Sequence, residues 1–91
     1  MEESKLIYLV QNELYKDIIT LADGDIENVT LNTIEEGILY FLLRYEEITK
    51  PQRRLIIQKI WRLFENKNEH LQVISKEKYD QRINHIEDME L

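Results

Sequence analysis

The sequence contains no cysteine, only two glycines and a single proline in 91 residues. Without cysteine, neither a disulfide framework nor thiolate chemistry is available. An all-β fold needs many tight turns, which draw heavily on glycine and proline, so the composition argues against such a fold. Two glycines also cannot build the glycine-rich loop that cradles phosphate groups in many enzymes. We therefore expect a single helical domain over residues 1–91, a length that can bury a modest core.

Long apolar segments are missing as well. No stretch is long and apolar enough to span a bilayer, and the opening Met1-Glu2-Glu3 lacks the apolar run of a signal peptide. We therefore expect a cytoplasmic protein that does not associate with membranes. The net charge of −6 also disfavours nonspecific binding of nucleic acid by the protein as a whole.

The charges that are present are unevenly distributed. Residues 1–49 carry eleven acidic and three basic side chains, whereas residues 50–67 carry six basic and one acidic. Residues 68–91 return to an acidic balance, with six acids and three bases. One basic helix within an otherwise acidic molecule is therefore the feature that any functional interpretation must explain.

Four segments show helical periodicity and predict an all-α, bundle-like domain of four helices, at about 3–22, 33–48, 50–66 and 75–89. The second is the most apolar, and apolar residues such as Tyr40 and Leu43 lie off its main stripe. A helix that is apolar on several sides is usually covered on several sides, so we expect it to be the most buried of the four. Gly37 within it predicts the close approach of a neighbouring helix.

Capping residues support these boundaries. Asn32 and Thr33 are both good N-cap residues for the second helix. Thr49, Pro51 and Gln52 match the chemistry of a helix start and place the third helix directly after the second. The connection between the two helices is then very short, which predicts a hairpin or a sharply angled corner.

Two short apolar segments lie outside these helices, at 29–31 and 71–74. Either they pair as a short two-stranded ribbon, or both are loops that their apolar residues pin to the core. Ser75, directly after the second segment, fits the N-cap of the fourth helix. The sequence does not decide between the ribbon and the loops.

The first helix carries a second apolar strip opposite its main stripe of Leu6, Val10, Leu14, Ile18 and Leu21. Tyr8, Tyr15, Ile19 and Ala22 make up this strip. One interpretation is that the first helix is sandwiched between two others. The other is that Tyr8, Tyr15 and Ile19 meet a partner protein or a second copy of the chain, because aromatic residues are enriched at interface cores.

A charged corner joins the second and third helices. Glu46 and Glu47 follow the second helix, and Lys50, Arg53 and Arg54 begin the third. Both sets oppose the helix macrodipole, which favours acids at the start of a helix and bases at its end. Either the two glutamates pair with the bases across the turn, or this corner binds a partner. We therefore name these five residues, together with Tyr8, Tyr15 and Ile19 (the tyrosine strip), as candidate partner-binding residues.

Catalytic and metal-binding constellations are poorly represented. The only serines are Ser4 and Ser75, and His70 and His85 belong to no Glu-x-x-His or His-x-x-x-His pair. No two carboxylates stand out as a buried acid–base pair. We therefore predict no enzyme, no catalytic residues, no metal and no cofactor.

The leading functional hypothesis is a small acidic module that binds another protein stoichiometrically, as a regulator or inhibitor. By analogy of size and charge it suits the class of immunity proteins or phage-encoded inhibitors, and its partner would be basic. The alternative is a helix-turn-helix DNA-binding regulator that uses the basic third helix, and a small enzyme subunit is a more remote one. Seven residues make up the candidate acidic surface: Glu13, Asp17, Asp23, Asp25, Glu27, Glu35 and Glu36.

Overall fold

The first helix, α1, spans residues 3–21 and contains a change of helix type. In the computed structural model, which describes residues 1–91, α-helical segments Glu3–Leu9 and Tyr15–Leu21 flank a π-helical turn at Val10–Leu14. The turn follows from the spacing of the apolar residues. Side chains four residues apart drift by about 40° per step around an ideal α-helix of 3.6 residues per turn. A wider π turn removes part of that drift.

The π turn therefore keeps a strict four-residue stripe on one side of α1. All five members of this stripe are buried: Leu6, Val10, Leu14, Ile18 and Ala22. We expected Leu21 in the main stripe and Ala22 in the opposite strip, and that expectation is wrong. Leu21 lies at the surface, because the underwound helix turns position 22 towards the core.

Four more helices follow, so the fold is all-α, as expected, with five helices and no strand. The predicted count of four is wrong because a short helix precedes the last predicted one. The helices are α2 (Leu31–Arg44), α3 (Lys50–Phe64), α4 (Glu69–Gln72) and α5 (Lys76–Ile83), with 3₁₀ turns at Ile26–Asn28 and Asn84–Asp88. None of the helices is long and apolar enough to cross a membrane.

Helix α2 begins and ends earlier than the predicted range of 33–48. Thr30 is its N-cap, and Thr30 and Thr33 each accept a hydrogen bond at the hydroxyl from the other's backbone N–H, at 3.3 and 2.9 Å. The helix ends at Arg44, so Glu46 lies beyond it and a base occupies its last turn, as the macrodipole favours. Five residues, 45–49, then connect α2 to α3, which makes the corner longer than we predicted.

The predicted start of α3 is confirmed. The Thr49 backbone N–H donates to the Gln52 side-chain carbonyl at 3.0 Å, and Pro51 lies in the first turn.

Helix α5, the last helix of the chain, is capped at its N-terminus by Ser75, as predicted. The Ser75 hydroxyl accepts a hydrogen bond from the Lys78 N–H at 3.1 Å. The peptide then continues as the 3₁₀ turn to Asp88 rather than as the predicted α-helix.

One core is formed by 21 buried apolar residues. Helix α3, rather than α2 as we expected, has the most buried residues, with Arg53 and five apolar residues buried against five residues in α2. The error arises from Tyr40 and Leu43, which we took to be covered. They are 53% and 56% exposed, so α2 is covered on one side only.

Gly37 permits the contact between α1 and α2. A Cβ atom at this position would lie 2.5 Å from Cγ1 of Ile18, a side chain that is fully buried in α1. The predicted close approach of a neighbouring helix is therefore confirmed. The two helices pack backbone-to-side-chain at this point, and Gly37 also lines a groove between them.

The two-stranded ribbon considered for 29–31 and 71–74 is absent. Hydrogen bonds from the Asn68 side chain, rather than backbone hydrogen bonds between two strands, connect the two segments. The Asn68 side-chain amide donates to the carbonyls of Ile26 and Val29 at 2.8 and 3.0 Å. Its carbonyl accepts from the Leu71 N–H at 2.7 Å and caps α4. Asn68 is buried, so this one amide joins the two connecting segments and satisfies their backbone groups.

Candidate functional site

The basic corner predicted at the start of α3 is covered by the chain's own C-terminal segment, 84–90. Arg53 is only 9% exposed. Its Nη1 donates to the carbonyls of Ile86 and Met89 at 3.0 and 2.6 Å. Those carbonyls lie at the end of the 3₁₀ turn, where backbone dipoles favour a positive charge. Arg53 therefore caps the C-terminal end of the 3₁₀ turn at Asn84–Asp88.

The two neighbouring bases bind the same segment. Lys50 Nζ lies 2.9 Å from a carboxylate oxygen of Glu90, and Arg54 Nη2 lies 2.7 Å from one of Glu87. The hydrogen bond from Lys50, together with its charge, lowers the pKa of the Glu90 carboxyl below its usual value. The first turn of α3 is thus neutralised by acids from residues 84–90.

Glu46 and Glu47 take no part in this arrangement. Both are exposed, and neither forms an ion pair. The interpretation in which these glutamates pair with the bases across the turn is therefore wrong. The partners of the three bases lie 33 to 40 residues further along the chain, whereas the two glutamates form no ion pair.

The tyrosine strip of α1 does not form one continuous surface. Tyr15 stacks on Phe64 of α3, with ring centroids 4.8 Å apart and an interplanar angle of 17°. Ile19 is partly buried against the core, whereas Tyr8 is exposed. Of this strip, only Tyr8 presents its ring to solvent.

A different apolar surface lies on the outer side of α2. Tyr40 and Leu43 project there, one helical turn apart, and Leu21 of α1 lies across the groove from Tyr40. Leu91 borders a second depression together with Leu43. We call the surface of Leu21, Tyr40, Leu43 and Leu91 the outer α2 face. It holds four of the six large apolar side chains that the protein exposes.

The groove between α1 and α2 has a volume of about 390 Å³. Gly37 lies at its floor, and Leu21 and Tyr40 are its apolar walls. Asp17 and Arg44 border the same groove. A contiguous apolar depression rimmed by polar groups is the type of surface at which proteins bind one another.

Four polar side chains close one end of the groove. Arg44 Nη1 donates to the carboxylates of Glu13 and Asp17, the latter at 3.2 Å, and the Tyr45 hydroxyl donates to Glu13. These bonds raise the pKa of Arg44. The hydrogen bond to Glu13, together with burial, raises the pKa of Tyr45. The cluster fixes α1 against the end of α2 and leaves Arg44 with its charge already balanced.

Two of the other predicted acidic residues, Glu35 and Glu36, lie on different sides of α2. Glu35 faces α5 and the 3₁₀ turn after it, where its carboxylate lies 3.5 Å from Arg82 and 3.4 Å from His85. Glu36 is exposed on α2, one turn before Tyr40, and forms no ion pair. The structure therefore does not gather the predicted acidic surface into one patch, although Glu13, Asp17 and Glu36 border the outer α2 face.

No group of three or more His, Asp or Glu side chains is arranged to hold a metal ion. His85 lies beside Glu35 on the surface, and its Nδ1 is 3.0 Å from the Arg82 carbonyl.

Comparison with protein-family models, curated proteins and solved structures finds no match for this chain.

Sequence reasoning missed the outer α2 face because Tyr40 and Leu43 look like further core residues of an apolar helix. A signal was present: Glu36 and Leu43 are seven residues apart, with Tyr40 between them, on one face of the helix. A glutamate on the same helix face as an aromatic and an aliphatic residue indicates that this face is exposed to solvent.

Proposed function

We propose that the protein is a non-enzymatic module that binds another protein stoichiometrically, as a regulator or inhibitor, through the outer α2 face. One observation carries the proposal. Leu21 and Tyr40, which are 36% and 53% exposed, line one groove, and Leu43, which is 56% exposed, borders the second depression one turn further along α2. Large apolar side chains scattered singly need no explanation, whereas a contiguous group of them with a polar rim favours an interface.

The surrounding charge suggests the character of the partner. Residues 1–49, which contain α1, α2 and the connection after them, hold eleven acids and three bases. A basic partner would be attracted to this half of the molecule, and complementary charge raises the rate of association and the specificity of binding. Tyr40 has the type of side chain that most often dominates the energy of such interfaces.

The proposal is tested with immobilised protein and extract from the cells that produce it. Wild-type protein should retain one protein in about equimolar amount, and Tyr40→Glu combined with Leu43→Glu should lose it, because two carboxylates would be buried in the contact. Tyr8→Glu is the matched control, since Tyr8 is an exposed aromatic residue elsewhere on α1. Retention that is equal for all three proteins, or no equimolar partner at all, would contradict the proposal.

The DNA-binding alternative has its own discriminating measurement. Its leading side chains would be Gln52, Arg53 and Arg54, of which Arg53 is buried and Arg54 is paired with Glu87. We expect a gel-shift on mixed-sequence DNA at low salt to show no complex. Tight binding that weakens steeply with added salt would favour the alternative.

A further inference from the structure

We infer that the partner segment bound by the outer α2 face is a cationic amphipathic helix, whose large apolar residue packs between Leu21 and Tyr40. This inference rests on the proposed function and specifies the kind of partner. It follows from three properties of the surface: its secondary structure, the shape of its groove and the sign of its free charge.

Secondary structure restricts how a partner can bind. The fold has no strand and therefore no sheet edge that could accept a partner strand. Helices α1 and α2 satisfy their backbone groups internally, so a partner must be held by side chains. Two adjacent helices with a groove between them provide the surface into which the ridge of a third helix packs. An amphipathic helix in a groove is accordingly the recognition mode that this surface fits.

The shape of the groove sets the length of the contact. Gly37 and Arg44 are seven residues apart, which corresponds to about 10 Å along the helix axis at 1.5 Å per residue. A partner helix would cover this distance with two turns, presenting apolar residues at positions i, i+3 or i+4, and i+7. The large apolar residue of the partner would pack between Leu21 and Tyr40, the two apolar walls of the groove.

The free charge on the face is negative. Arg44 is the only base that borders the groove, and Glu13 and Asp17 already engage it. Glu36 precedes Tyr40 by one turn, and Glu46 borders the depression beside Leu43. Neither of these glutamates forms an ion pair.

Lysine or arginine residues beside the apolar stripe of a partner helix would give these two carboxylates their missing partners. A second copy of the chain fits less well, because pairing two outer α2 faces would oppose Glu36 and Glu46 to the same residues of the other copy, and like charges across an interface disfavour association.

Model peptides test the inference directly. The probe is a leucine–lysine peptide of about 15 residues, near the length at which isolated helices become stable, with leucines at i, i+3, i+4 and i+7. It is added to isotope-labelled wild-type protein, and backbone amide shifts are followed by NMR. Two control peptides keep the same length: one replaces every lysine by glutamate, and the other replaces every leucine by glutamine.

We expect the leucine–lysine peptide to shift amides at 17–21 and 36–46, and both control peptides to leave them in place. Tyr40→Glu combined with Leu43→Glu should weaken binding roughly tenfold or more, as the loss of an interface hot spot does, whereas Tyr8→Glu should not change it. Equal shifts with the leucine–glutamate peptide would refute the charge argument. Equal shifts with the lysine–glutamine peptide would refute the groove argument, and shifts confined to other residues, or none, would refute both.

Two further outcomes separate this inference from the proposed function. Shifts at 36–46 that grow with protein concentration alone would overturn the inference in favour of a second copy. If no peptide binds, yet a cellular protein is retained only when Tyr40 and Leu43 are intact, the cationic-helix inference fails and the proposed function stands. If the peptide binds as expected but no cellular partner depends on these residues, the proposed function fails.

Discussion

The first turn of α3 and the outer α2 face differ in whether their side chains have partners within the chain. At the first turn of α3, every base has a partner within the molecule: Lys50 binds Glu90, Arg54 binds Glu87, and Arg53 binds two backbone carbonyls. On the outer α2 face, the apolar side chains of Tyr40 and Leu43 remain in solvent.

The residues that stand out most in the sequence are not the ones that remain free to bind a partner. The basic run 50–54 stands out in the sequence, but its charges are used to hold the end of the chain against α3. Tyr40 and Leu43 resemble core residues in the sequence, but nothing in the fold covers them. A surface that the chain leaves unsatisfied has more capacity to bind a partner than one that it has already neutralised.

The largest effect is expected at Arg53. Arg53→Ala removes two charge-assisted hydrogen bonds from buried carbonyls, which should lower the free energy of unfolding by about 2–4 kcal/mol. Arg54→Ala is the matched control, because that side chain is 67% exposed and an exposed pair contributes about 0.2–1 kcal/mol. Urea unfolding monitored by circular dichroism measures both, and equal losses would contradict the structural role assigned to Arg53.

A smaller loss is expected at Gly37. Gly37→Ala gains about 1 kcal/mol of helix propensity. It also places a Cβ 2.5 Å from the buried Ile18 side chain, and overpacking costs about 1–3 kcal/mol. The net result should be destabilisation of about 1 kcal/mol, measured in the same urea experiment. A stabilised Gly37→Ala would show that α1 and α2 are less closely packed than described.

Little change in stability is expected on the outer α2 face. Tyr40→Glu and Leu43→Glu alter exposed side chains, and such substitutions usually change the free energy of unfolding by less than about 0.5 kcal/mol. The pair should therefore abolish partner binding while leaving the urea midpoint in place. A loss comparable with that of Arg53→Ala would mean that these residues support the fold rather than an interface.

The smallest expected effect is the pH dependence of stability that the Lys50–Glu90 pair causes. Because Lys50 lowers the pKa of Glu90 in the folded state, this pair stabilises the protein above the ordinary carboxyl pKa of 4.5. The contribution is lost as the pH falls through the lowered pKa. Lys50→Met should return the Glu90 titration, followed by NMR of its side-chain carboxyl carbon, towards the ordinary value. An unchanged titration would show that Lys50 and Glu90 do not pair in solution.

The sequence predicted the parts of the fold that depend on local signals. Helical periodicity predicted the extent of α1 to within one residue at its end, and the Gln52 interaction with the Thr49 backbone fixed the start of α3. The π turn was not predicted, and the ribbon, one of the two alternatives for 29–31 and 71–74, does not form, because each depends on packing between distant segments. One buried amide, that of Asn68, decides how 26–29 meets 68–71.

The candidate site was less predictable for the same reason. Nothing near Arg53 in the sequence indicates that carbonyls at 86 and 89 will accept its hydrogen bonds. Likewise, the exposure of Tyr40 depends on how many helices pack around α2, which periodicity does not determine. Sequence patterns show which side chains could bind a partner, and the tertiary packing decides which of them remain free.

Photo-crosslinking from two positions distinguishes the outer α2 face from the first turn of α3 as the binding surface. A photoreactive benzophenone side chain is placed at position 40 in one variant and at position 54 in another, and both are irradiated inside the producing cells. We expect position 40 to crosslink to one partner protein and position 54 to give no intermolecular product. Crosslinking from position 54 alone, or equally from both positions, would contradict it.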